Sequence, residues 1–154
     1  MAAGPDGPEA IILVDGASKG NPGPAGAGVV VLAPGGDVLQ EIAVPIPNAT
    51  NNVAEYVGLL EGLRAARRLG IKRVEIRTDS ELLYRQLKGI YRVKKPHLQR
   101  LHNEALGLMR GFEVCALTQV PREANSAADR LATAAARQAA KRGSGPPPQG
   151  SLGL

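Results

Sequence analysis

Four acidic residues stand where the chain changes direction: Asp15 in "VDGAS", Glu55 in "NNVAEY", Asp79 in "RTDSELL" and Asp129 in "NSAADR". Each has a local explanation. Asp79 follows the apolar run "RVEIRT" and suits the N-cap of a helix beginning at residue 80. Asp15–Gly16 is an ordinary turn pair, and Asn52 with Glu55, like Ser126 with Asp129, has capping-box spacing. The explanations weaken jointly if the fold brings all four acids to one edge. Carboxylates held together repel, and they call for a cation. With no histidine or cysteine among them, an oxygen-only ligand set favours Mg²⁺ or Mn²⁺ over zinc. Two such ions about 4 Å apart would clamp the attacking and leaving oxygens of a phosphoryl displacement.

The elements must therefore converge these acids. "AIILVD" (10–15) reads as a buried strand. "GASKGNPGPAG" follows as a glycine-rich turn, and "AGVVVLA" (27–33) and "VLQEIAVPI" (38–46) form a hairpin across "PGGD". A helix spans about 51–69, with Val53, Tyr56, Val57, Leu60 and Leu63 on one face and Gly70 as its stop. "RVEIRT" (73–78) is the fourth strand and "SELLYRQLKG" (80–89) a short helix. The next helix opens at Pro96, with Leu98, Leu101, Ala105 and Leu108 on one stripe. "FEVCALTQV" (112–120) is the fifth strand and residues 124–142 an alanine-rich final helix. A right-handed crossover returns the fourth strand parallel to the first. Asp15, ending strand one, and Asp79, ending strand four, then meet at the carboxyl edge, where such sheets gather ligands.

Length and composition bound the rest. The 154 residues make one domain, with a loose Gly/Pro-rich segment over 1–9, a folded domain over 10–142 and a linker-like tail over 143–154. No apolar stretch approaches a membrane span, and the start lacks a secretory pattern, so a cytoplasmic protein is expected. Cys115, the sole cysteine, suits a buried reduced thiol. The net charge of +5 suggests a polyanionic partner. Arg85, Lys88, Arg92, Lys94, Lys95 and Arg100 run without an intervening acid; a solvated, charge-rich surface is the other reading of that stretch.

The blocks "VDGASKGNPGPAGAG", "ATNNVAEYVGLLEGL", "RTDSELLYRQL" and "VPREANSAADRLA" resemble, in order, the motifs of type 1 ribonuclease H, over roughly residues 10–140. The resemblance implies a mixed α/β fold with a five-stranded sheet, order 3-2-1-4-5, flanked by helices. It implies hydrolysis of the RNA strand of RNA–DNA hybrids with two bound Mg²⁺ or Mn²⁺ ions, leaving 5′-phosphate ends, by a monomeric enzyme. Asp15, Glu55, Asp79 and Asp129 match the catalytic, metal-binding carboxylates. Gly16, Ser18, Asn21, Thr50, Asn51, Asn52, Ser80, Glu81, Arg122 and Asn125 match substrate-contacting positions, and Arg92, Lys94 and Lys95 form a basic flank.

Two departures stand out against the family pattern. The tryptophan-rich basic helix that the best-known members insert before the third helix is missing; partial replacement by the basic run 85–100 is one expectation, and lower substrate affinity is the other. The loop histidine that often precedes the last carboxylate is also missing; Arg122 and Glu123 stand there, while His97 and His102 fall in a separate helix and are expected at the surface. A hybrid-binding module without catalysis and a DNA-processing relative of the resolvase type are the alternatives.

Overall fold

A computed structural model describes residues 7–144. The elements run β1 (Ala10–Ser18), β2 (Gly23–Leu32), β3 (Val38–Ala49), α1 (Asn51–Arg68), β4 (Arg73–Thr78), α2 (Glu81–Leu87), α3 (Pro96–Arg110), β5 (Val114–Gln119), a 3₁₀ turn (Arg122–Asn125) and α4 (Ser126–Ser144). One mixed sheet results, in the order β3-β2-β1-β4-β5. β1 to β3 form an antiparallel meander, and β4 and β5 join it in parallel through helical crossovers, as the sequence predicts.

The two faces of the sheet are covered differently. α1 lies on β1 and β2 with α3 beside it, and α4 crosses β1, β2 and β3. Ile12, Val14, Val29, Val31, Val74 and Ile76 meet Tyr56, Leu59, Leu63 and Leu83 in the larger core. Full burial of each large aliphatic side chain there stabilises by roughly 1.5–3 kcal/mol. On the α4 face, Ile11, Leu13 and Val30 meet Ala128. This side is thin because α4 sits almost on the backbone of β2. A Cβ added at Gly28 would lie 2.2 Å from Ala128 O and 2.6 Å from Ala132 N. The alanine spacing of α4 and the glycines of β2 are thus two halves of one close approach.

Several local expectations are corrected. β1 does not end at Asp15: only its parallel partnership with β4 ends there, at the pair Val14–Thr78, while pairing with β2 continues to Ser18–Ala25. The glycine-rich stretch is mostly strand for the same reason, and the reversal is confined to residues 19–22. Asp79 does not cap α2; the Ser80 hydroxyl does, accepting from Leu83 N at 3.1 Å. Nor does Asn52 cap α1: Thr50, two residues earlier, does, accepting from Val53 N at 3.2 Å. Residues 7–9 are held: Gly7 O accepts from Arg73 Nε, and Glu9 Oε1 accepts from the Lys72 and Arg73 amides. Expectations for residues 1–6 and 145–154 lie outside the described residues, and residues 143–144 continue α4. Cys115 is half-buried, and burial pushes its thiol up to about 11.

Candidate active site

Asp15, Glu55 and Asp79 converge at the carboxyl edge of the parallel strands, each with a carboxylate oxygen within 4.8 Å of the others. Asp15 leaves β1 where β4 stops, and Asp79 follows the last residue of β4. Glu55 comes from the first turns of α1. Its approach depends on Gly16, where a Cβ would lie 2.5 Å from Glu55 N and 2.8 Å from Ala54 C. Asp129 arrives on the first turn of α4. Asp15 pairs across the sheet with Gly28, the residue against which α4 docks, so the glycine contact sets where Asp129 stands. The Asp129 carboxyl is among the groups that raise the proton affinity of Asp15.

The cluster is electrostatically loaded. Asp15 and Glu55 are each 6% exposed. Burial raises the Asp15 carboxyl to about 7, reinforced by Asp129 and by the charge of Asp79. Burial likewise raises Glu55 well above the carboxylate range, with the charges of Asp15 and Asp79 adding to it; the Gly16 amide works in the opposite direction. Glu55 Oε2 is buried without a hydrogen-bond partner. An orphaned anionic oxygen facing two more carboxylates fits a divalent cation: it supplies the missing partner and removes the repulsion together. The oxygen-only donor set fits a hard ion.

Two hollows open around the acids. One is lined by Asp15, Gly16, Ser18, Asn51, Glu55, Asp79, Arg122, Asp129 and Thr133. The other, of about 570 Å³, is lined by Asn21, Thr50, Asn51, Asn52, Glu55, Ser80, Arg92, Lys94 and Lys95, with Leu82 and Leu98. Asn51 and Glu55 belong to both, so they form one continuous groove. The basic flank therefore borders the asparagines and the acids.

Most predicted contact residues reach this groove already engaged in building it. Asn21 Oδ1 accepts from Asn51 N at 2.9 Å, tying the β1–β2 reversal to the start of α1. Ser18 Oγ contacts Gly20 O and lies 2.9 Å from Ala49 O. Its single proton is spent on the protein, and only lone pairs remain to offer. Thr50 and Ser80 are the two helix caps. Asn125 is fully buried; its Nδ2 donates to Val14 O at 2.8 Å and Asp79 Oδ1 at 3.4 Å, so it braces Asp79. Glu81 also stands apart: its exposed carboxylate takes Arg85 Nε at 2.8 Å, along its own helix.

His102 corrects the expectation of a surface residue. It is half-buried, its ring meets Tyr56 edge-on, and Nε2 lies 3.0 Å from Gln86 O. His97 is exposed, as expected. The sequence reading missed Thr133 and Gln86. Thr133 follows Asp129 by one helical turn, a spacing that could have found it; Gln86 interrupts the apolar positions Leu83 and Leu87, a signal of a buried polar role.

Comparisons with known proteins agree with this geometry. The reverse transcriptase-like family matches residues 13–135. The chain is 43% identical to ribonuclease HI of Halobacterium salinarum over 121 residues, which is 79% of this chain and 61% of that protein; it thus spans about three fifths of this relative's length. The N-terminal RNase H domain of Rv2228c from Mycobacterium tuberculosis, solved as a maltose-binding-protein fusion, superposes with a TM-score of 0.84 at 43% identity, covering 87% of this chain and 97% of that one. LC11-RNase H1, solved in complex with an RNA/DNA hybrid, superposes with a TM-score of 0.79 at 39% identity, covering 85% and 99%. With the strand order, the acid cluster and these matches in agreement, the chain belongs to the ribonuclease H family, type 1, in a form whose α2 and α3 are joined without an inserted helix.

Proposed function

We propose that this chain is an endoribonuclease that hydrolyses the RNA strand of RNA–DNA hybrids, with Asp15, Glu55, Asp79 and Asp129 holding Mg²⁺ or Mn²⁺. The observation that carries the reading is the convergence of three carboxylates within 4.8 Å, one oxygen of Glu55 buried and partnerless, at the head of a groove with a basic wall. Bound divalent ions supply a nucleophilic water at neutral pH and stabilise charge on the attacking and leaving oxygens.

The chain's own residues prepare that chemistry. The burial of Asp15 and Glu55 excludes bulk water from the ligand atoms, so charge interactions act at reduced dielectric. Asn125 holds Asp79 against β1, and Gly16 lets Glu55 close on Asp15. Arg92, Lys94 and Lys95 attract phosphates of the duplex. Gly16, Ser18, Asn21, Thr50, Asn51, Asn52 and Ser80 face its sugars and minor groove, where the 2′-OH separates RNA from DNA. Arg122, at the mouth of the acid hollow, positions a phosphate oxygen through charge-assisted bonds. Products carry 5′-phosphate and 3′-hydroxyl ends. The reading extends to a monomer working in the cytoplasm, with residues 10–142 as its catalytic domain; no helix among the described residues is long and apolar enough to cross a membrane.

End-labelled RNA–DNA, RNA–RNA and DNA–DNA duplexes, incubated with Mg²⁺, Mn²⁺ or EDTA, test it. Cleavage confined to the hybrid's RNA strand and to metal-containing reactions is expected. Equal cutting of the DNA duplex would favour the resolvase alternative, and binding without cleavage the non-catalytic module.

A further inference from the structure

Gln86 is a polar side chain in the apolar stripe of α2, and it is 6% exposed. Its Oε1 accepts two hydrogen bonds from α1: the Tyr56 hydroxyl donates at 3.0 Å and Asn52 Nδ2 at 3.2 Å. Its backbone carbonyl meets His102 of α3 at 3.0 Å. Three helices therefore meet on one glutamine. Asn52 and Tyr56, four residues apart, share a face of α1, and Glu55 of the acid cluster lies between them in sequence.

The doubly accepting oxygen decides which way Asn52 points. A carbonyl oxygen only accepts, so the atom of Asn52 that faces it must be the nitrogen. Turning the amide over would set two acceptors against each other. Asn52 Oδ1 is accordingly buried and without a partner, and Gln86 takes one of the two nitrogen protons. The other proton is left to the groove that Asn52 lines.

We infer that Gln86 is a positioning residue for nucleic-acid binding: it fixes Asn52 so that the amide presents an N–H donor to the minor-groove edge of the duplex. This rests on the proposed function and deepens it. Every base pair offers acceptors on that edge, purine N3 or pyrimidine O2. A donor locked in one orientation therefore grips a duplex of any sequence, and none of its rotational freedom is lost on binding.

The test is a double-mutant cycle, read by equilibrium binding of a fluorescent RNA–DNA hybrid in EDTA and by kcat and KM in Mg²⁺. Gln86→Met removes the acceptor at similar volume and should weaken binding and raise KM about tenfold, the scale of one hydrogen bond. The value of kcat should change by less than about threefold, since the grip is lost equally from ground and transition states. In an Asn52→Ala background, Gln86→Met should add less than about twofold, because the two residues act as one.

A full tenfold loss in that background would overturn the inference. Should Gln86→Met fold poorly by thermal melt, Tyr56→Phe decides: it leaves the Gln86–Asn52 bond in place and should bind within about twofold of wild type. A tenfold loss there would assign the effect to packing of the network and overturn the orientation argument. Wild-type protein that fails to cleave hybrid would refute the proposed function; additive effects in a wild type that does cleave would refute this inference alone.

Discussion

Replacing Asp15 by Asn should stabilise the metal-free protein, by an amount that depends on pH. Asp15 is held at about 7 against an ordinary 3.8, first by burial, then by Asp129 and the neighbouring charges. A carboxyl raised in this way binds its proton more tightly folded than unfolded. Stability is therefore intact below the unfolded value near 4 and is lost as pH rises through about 7. The shift of about three pH units corresponds to roughly 4 kcal/mol at 1.36 kcal/mol per unit. Because residual solvent and relaxation screen such a site, about half of that, about 2 kcal/mol, is expected at pH 8. The asparagine is nearly isosteric with a protonated aspartate and carries no charge. Asp15→Asn should then melt about 6 °C above wild type at pH 8 in EDTA, and the gap should shrink to about 1–2 °C near pH 4.5. Adding Mg²⁺ should reverse the ranking, since an ion at a hundredfold excess over its Kd stabilises wild type by about 2.7 kcal/mol and the variant by less. Thermal melts by circular dichroism across pH 4.5–8, with and without Mg²⁺, decide it. A gap that is independent of pH, or a variant less stable at pH 8, would refute the account of the cluster as an electrostatically strained cation site.

Other outcomes are expected from the same structure. Asp79→Asn should abolish hybrid cleavage while leaving the far-ultraviolet circular dichroism unchanged, and retention of more than about 1% of the wild-type rate would contradict its place among metal ligands. Arg122→Ala should lower turnover about tenfold, as suits a group that positions a phosphate without bonding to the reacting atoms; steady-state kinetics on hybrid would show it. Neutralising Lys94 should reduce the salt slope of hybrid binding by about one unit, whereas an unchanged slope returns the basic wall to a solvated surface. Gly28→Ala should destabilise by about 1–3 kcal/mol in urea unfolding, because the new methyl meets Ala128 O, Ala132 N and Leu131 Cβ, atoms that move only with α4 itself.

Much of this molecule is legible along the chain, for identifiable reasons. Strand order follows from the crossover rule and from apolar runs bounded by turn residues. The four acids announce themselves because each carboxylate ends or begins an apolar stretch. What stays hidden is decided by partners far away in sequence. The extension of β1 past Asp15 depends on β2, whose glycines read locally as a turn. The start of α1 at Asn51 makes Thr50 its cap and leaves Asn52 inside the helix, where it donates to Gln86, 34 residues later. The burial of Asn125 depends on Val14, 111 residues earlier. A motif gives the side chain but not the direction it faces.

The docking of α4 against the glycines of β2 also has a consequence in time. Asp15 lies on the first strand and Asp129 on the last helix of the described chain, and only the seat at Gly28 brings them together. During synthesis, β1 to β4 can pair, and α1 can cover one face, well before residue 129 leaves the ribosome. Such a nascent chain already holds Asp15, Glu55 and Asp79, yet it lacks the fourth carboxylate and leaves the opposite face of its sheet bare. The complete acid set thus becomes available only with the last docking event, and the proposed hydrolytic competence would arrive together with the closing of the second core.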